Sequence, residues 1–166
     1  MATETTTTPG ARGLLARVVR TRPATLEVDV ALLVVRIALA WIFIYNGGAK
    51  AFGWWNGPGI DGTADFMSDT AHLNPGGFFA VLVCVIELGA AIALILGLGS
   101  RLAALVLVGD QIVAVITVNW TNGIEQLNGG YELNIALIAL ALVMVFMGAG
   151  RYSVDAIVER RLAAKT

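Results

Sequence analysis

Three ionisable residues stand inside long hydrophobic runs where few charges are tolerated: Arg36, Glu87 and Asp110. In lipid, an Arg or Asp at a helix centre costs about 2.5–3.5 kcal/mol, so each asks for a partner or for water. Spacing at 100° per residue shows what surrounds them. Arg36 shares a stripe with Ala40, Phe43, Gly47 and Lys50, and Glu87 with Ala80, Cys84 and Ala91. Asp110 falls in line with Ala103, Ala114 and Thr117, and Glu132 with Ala136 and Ala139. Small residues mark close helix contact in membranes, so these side chains are expected to face the interior of a bundle.

Depth sorts the polar groups into two expected layers. Arg36 and Lys50 lie fourteen positions apart, or ~21 Å along a helix axis, and cannot share one compact site. An inner buried charge cluster is expected from Arg36, Glu87 and Asp110, with one acid beyond what Arg36 can neutralise. An outer head-group site is expected from Asn46, Lys50, Tyr131, Glu132 and Asn134, with Lys50 and Glu132 as its charge pair. The plainer alternative is that these pairs only fix which helices touch, at about 0.6–2 kcal/mol each.

The chain carries one Cys, Cys84, and one His, His72. Alone they build no haem, iron–sulfur or zinc site, and no dithiol mechanism is possible within one chain. Cys84 reads as a packed apolar side chain and His72 as a loop residue. Asp61, Asp65 and Asp69 lack the ligand order of a calcium loop and read as a solvated acidic surface. No catalytic residue, intrinsic cofactor or metal site is assigned.

The elements that must position these residues follow from composition. The 166 residues are 57% hydrophobic and 14% charged, with a mean hydropathy of +0.77. A soluble domain holds about a quarter charged residues, so the solvent must be lipid. A net charge of −1 offers no basic footprint for nucleic acid, which is excluded as a partner. Four apolar spans are expected, at about 29–50, 77–98, 101–120 and 131–147, each close to the ~20 residues that cross a bilayer. The fold class is therefore an all-α membrane protein, an antiparallel four-helix transmembrane bundle.

Residues 1–28 read as a disordered, Thr-rich start followed by a basic interfacial stretch over residues 11–23. Residues 29–150 form the transmembrane domain and residues 151–166 a basic tail. The Gly-rich segment from Ala51 to Pro75 is a loop with one short helix over Thr63 to Ser68. The basic residues of the arm, of the turn at Arg101 and of the tail place both termini on the cytoplasmic side of the membrane. Trp54, Trp55, Trp120 and Tyr131 then fall at the outer interface, where such rings are enriched.

The run from Arg36 to Lys50, RIALAWIFIYNGGAK, resembles the opening motif of the DoxX family. Also similar are Glu87, the stretch Leu96-Gly97-Leu98-Gly99-Ser100-Arg101, the Gly130-Tyr131-Glu132 start of the fourth span, and the close from Gly148 to Asp155. The resemblance covers Leu32 to Asp155. Asn46 stands where many members have His, and Ala149 where they have Pro, while Asp110 with Gln111 is more polar than the usual third span. The resemblance implies a membrane subunit associated with thiosulfate:quinone oxidoreductase or quinol oxidase activity, or with thiol and oxidative-stress defence. The expected ligand is a quinone, bound between Lys50, Glu132 and neighbouring aromatics, and the expected partners are membrane lipids with a redox protein or further copies of the chain. The protein is expected to be an accessory subunit rather than an enzyme by itself. The competing reading is a scaffold or assembly factor that does no chemistry, and transport of a small solute ranks below both because four spans leave little room for a gated path.

Overall fold

The computed structural model describes residues 25–163. The Thr-rich start and the basic stretch over residues 11–23 lie outside them. The helices are α1 (Thr25–Phe52), α2 (Gly59–Asp69), α3 (Gly76–Leu96), α4 (Ser100–Ala114), α5 (Glu132–Met147) and α6 (Val154–Ala163). A wider turn over Val115–Asn119 and a tight one over Trp120–Asn122 continue α4 as a single rod to Asn122.

α1, α3 and the Ser100–Asn122 rod are long and apolar enough to cross a membrane. α5 has 16 residues, about 24 Å against ~30 Å of hydrocarbon, so its place in the bundle rests on packing. α1 packs on α3, α3 on α4, α4 on α5, and α5 closes the ring against α1. Leu39, Phe43, Ala91, Leu94, Ala104, Leu107, Leu137, Ala141 and Met144 fill the interior. Val34, Trp41, Val85, Leu102, Ile116 and Phe146 stand more than half exposed on the outside, an apolar surface that lipid matches and water does not.

The two ends of the bundle are built differently. At one, the turn end, Gly97 closes α3 at φ +66°, a conformation glycine adopts without strain. The Leu98 N–H donates to Ala93 O at 2.9 Å and the Gly97 N–H to Leu94 O at 3.1 Å, the paired bonds of a Schellman stop. α4 starts three residues after Gly97, and the orphan N–H groups at Gly99 and Ser100 donate to the two carboxylate oxygens of Asp155 at 2.8 and 3.1 Å. Residues 151–155, assigned to the tail on sequence, are thus built into this end of the bundle.

At the other, the loop end, α2 packs on α3 and on the end of α1. It runs for 11 residues, longer than the Thr63 to Ser68 helix expected. Its buried Thr63 donates towards Gly59 O at 2.7 Å and towards Lys50 O at 3.1 Å. Any side chain at Gly76 would overlap Ala64 O and Ser68 Oγ, so this glycine lets α2 lie directly against the start of α3.

Burial bears out the four expected helical stripes unequally. Arg36, Ala40, Phe43 and Gly47 are buried, as are Ala80, Cys84, Glu87 and Ala91. On α4 only Ala103 of its stripe is buried, while Asp110, Ala114 and Thr117 are partly covered. On α5 the expectation fails: Glu132, Ala136 and Ala139 are exposed, and Leu137, Ala141 and Met144 face inward. α5 is apolar all round, so its sequence carries little periodic signal, and larger side chains fill the space opposite α4.

Candidate functional site

The expected inner cluster does not assemble. Arg36 is 3% exposed and sits at the turn end, where its guanidinium donates to Ala149 O at 2.8 Å and Tyr152 O at 2.6 Å. Asp155 is the carboxylate whose field it feels. A Cβ at Gly97 would lie 2.7 Å from Arg36 Nη1, so the missing side chain there leaves room for the guanidinium. Nearby, Asp29 accepts from the Arg151 N–H at 2.9 Å and faces the Arg151 guanidinium at 3.7 Å. These contacts clasp the start of α1 to residues 149–155; Arg36 is a fastening, with Asp155 in the role expected of Glu87 and Asp110.

Glu87 pairs with Lys50 instead. The expected Lys50–Glu132 pair is therefore corrected too: Glu132 is exposed, and its Oε1 accepts from the Gln126 N–H at 3.0 Å. The reason is helix register. A Cβ at Gly47 would lie 3.2 Å from the Glu87 Cβ, so these residues are level. From Gly47, α1 runs five more residues to Phe52, whereas α3 extends eleven residues back to Gly76. α3 therefore overshoots α1 by six residues, about 9 Å, and α2 packs in the step. Lys50 ends up beneath α2 at the depth of Glu87, rather than at an open membrane edge.

The pair lies at the wall of a cavity of about 720 Å³ between the loop-end halves of α3 and α4, backed by α1 and α5. Its apolar lining includes Phe43, Phe66, Phe79, Leu82, Ile86 and Val113. Its polar lining is Asn46, Lys50, Glu87, Asp110, Gln111, Thr117, Asn119, Gln126 and Asn134. The wider turn at Val115–Asn119 contributes Thr117, Val118 and Asn119 to this wall. Such a turn leaves one residue more than a regular helix needs and is common at functional sites.

A chain of amides crosses the cavity wall. Asn134 Nδ2 donates to Gln111 Oε1 at 2.9 Å, and Gln111 Nε2 donates to Asp110 Oδ2 at 2.9 Å. Asn46 Nδ2 donates to Ile42 O at 2.9 Å and Asn119 Nδ2 to Gly129 O at 2.6 Å. Lys50 and Asp110 are the two charges that act on Glu87. Glu87 itself is 2% exposed, and its Oε2 is buried without a hydrogen-bond partner. An unpaired buried acceptor costs about 1–3 kcal/mol.

The two expected layers are thus redistributed. Glu87 and Asp110 join Asn46, Lys50 and Asn134 in one site, and Arg36 leaves it. Tyr131 and Glu132 are not in its lining; Tyr131 stacks on Trp120 at 5.6 Å between ring centroids. The sequence reading missed Gln111 and Asn119 as wall residues, and the α2 side chains Phe66 and Met67. An amide at 111 beside an acid at 110 within an apolar run was the signal for the first. α2 gave none, because its role comes from where it docks.

The DoxX family model matches residues 31–120, more than half of the chain. No curated protein and no solved structure matches it.

Proposed function

The chain belongs to the DoxX family, and on that premise we propose that it is a quinone-associated membrane subunit of a redox or oxidative-stress defence complex, whose partner protein handles the electrons. The observation that carries this reading is a cavity between the spans whose lining joins apolar side chains to an ion pair, Lys50 with Glu87. Its volume of about 720 Å³ is in the range of small-molecule sites, roughly 300–1,000 Å³. Phe66 and Phe79 bring aromatic rings to its lining, and Lys50 has N–H groups left to donate to a ring oxygen. A bound quinone would supply reversible two-electron, two-proton chemistry that no side chain here possesses. The chain's own part is to bind and orient the head, to exclude water with its apolar walls, and to hold charge at Lys50, Glu87 and Asp110.

Access supports a ligand dissolved in the membrane. The cavity is a cleft between α3 and α4, and Leu82, Val106, Gly109 and Val113 in its lining are exposed on the apolar exterior. An isoprenoid tail fits such a gap. Arg101, Arg151, Arg160 and Arg161 gather at the turn end, and by the positive-inside rule we place that end in the bacterial cytoplasm and the cavity in the outer half of the bilayer.

The test is binding. Full-length protein purified in lipid nanodiscs is expected to retain quinone on solvent extraction and to take up a short-chain ubiquinone or menaquinone added back, and Lys50→Met is expected to weaken uptake at least about tenfold. Protein that retains no quinone and binds none added back overturns the reading. A specific companion protein retained under those conditions would instead favour the scaffold role.

A further inference from the structure

Hydrogen bonding at the Lys50–Glu87 pair is unbalanced, and the imbalance points to one oxidation state of the ligand. Each side-chain amide with a bond in this wall already donates to the protein: Asn46 to Ile42 O, Gln111 to Asp110, Asn119 to Gly129 O and Asn134 to Gln111. Asp110 accepts only at Oδ2. Glu87 accepts from Lys50 at Oε1, while its Oε2 has no partner although the side chain is almost wholly buried. The donor in direct contact with Glu87 is Lys50, whose ammonium carries three protons and spends one on that carboxylate.

A carbonyl oxygen and a hydroxyl oxygen meet this pair differently. A carbonyl can accept from Lys50 but has nothing to give, and it would bring its lone pairs towards the bare Glu87 Oε2. A hydroxyl can accept from Lys50 and donate its own proton to Oε2, satisfying both groups at once. We propose that the Lys50–Glu87 pair selects the hydroxyl-bearing, reduced form of a lipid-phase ring ligand, with the ring hydroxyl accepting from Lys50 Nζ and donating to Glu87 Oε2. This rests on the quinone reading above and adds which member of the redox couple the site holds. Selectivity of this kind is steep, because the wrong ligand leaves a buried polar group unpaired.

The same short-chain ligand in three forms provides the test: the quinol under anaerobic reducing conditions, the quinone, and the dimethyl ether of the quinol, which keeps the ring and loses both O–H groups. Binding to the full chain in nanodiscs is measured by equilibrium dialysis with chromatographic quantitation, so that no catalytic turnover is required. The quinol is expected to bind at least about tenfold tighter than either other form. Glu87→Gln, which supplies an N–H₂ beside a single acceptor, is expected to shrink the quinol-to-quinone ratio below about threefold. Quinone binding as tight as quinol, dimethyl ether binding as tight as quinol, or a ratio that survives Glu87→Gln overturns this proposal and leaves quinone binding standing. If no form binds, both fall. The comparison of the three forms on the unmodified chain decides the matter even where Glu87→Gln does not fold.

Discussion

Arg36 and Tyr152 lie 116 positions apart, and the guanidinium of the first donates to the backbone carbonyl of the second at 2.6 Å. With the bond to Ala149 O at 2.8 Å, a single side chain from the first span secures the residues that follow the last. Asp155 completes the arrangement from the other direction by capping the start of α4. The turn end is therefore fastened by side chains that satisfy backbone groups, where a shorter device would leave carbonyls and N–H groups bare in lipid.

Removing this fastening should cost stability and leave ligand binding intact. Arg36→Gln loses a charged donor to two carbonyls, an effect on the order of 2–4 kcal/mol. Arg36→Lys should recover only part of it, since an ammonium on a flexible stem cannot reproduce the planar fork. Denaturation in mixed detergent measures both. Quinone affinity of the folded fraction should stay within about twofold, because Arg36 is eleven residues, ~16 Å, from the level of Glu87. A large loss of affinity in a stably folded Arg36→Lys protein would restore the inner charge cluster as a ligand site.

The Lys50–Glu87 pair makes a different demand. Lys50→Met alone leaves a buried carboxylate without its partner and should destabilise by about 3–5 kcal/mol, whereas replacing both members removes the uncompensated charge. Lys50→Met with Glu87→Gln is therefore expected to be more stable than Lys50→Met alone, with a coupling of at least about 1 kcal/mol. Additive single effects in the same denaturation assay would mean that the two groups do not interact in the membrane.

The stripes on α1 and α3 were legible because each sets charged residues among small ones, so the inward face stands out from its apolar neighbours. The pairing of those charges was not. It depends on how far α3 overshoots α1, and that offset is set by the docking of α2 around Gly76 and Thr63, contacts between segments that no local pattern records. α5 shows the complementary limit: with apolar residues on every side, Leu137, Ala141 and Met144 carry no mark that separates them from Ala136 and Ala139. Arg36 was legible as a buried charge, but its acceptors are backbone carbonyls, which are the same in every sequence.

Gly109 offers a test of the route into the cavity. It lies in the lining on the exposed side of α4, and a Cβ built there meets no atom within 4 Å. A Cβ can therefore be introduced without a clash, and replacing a mid-helix glycine favours the helix by about 0.5–1 kcal/mol. Gly109→Leu should leave thermal stability unchanged or raised while its side chain occupies the gap between α3 and α4. If ligands arrive from the acyl layer, a long-tailed quinone should bind at least about tenfold more weakly to this variant, with Gly109→Ala in between. A tailless, water-soluble head group that can come through the loop end should lose much less. Equal losses for tailed and tailless ligands would show that the leucine damages the site itself, and no loss for either would place the entrance away from the α3–α4 gap.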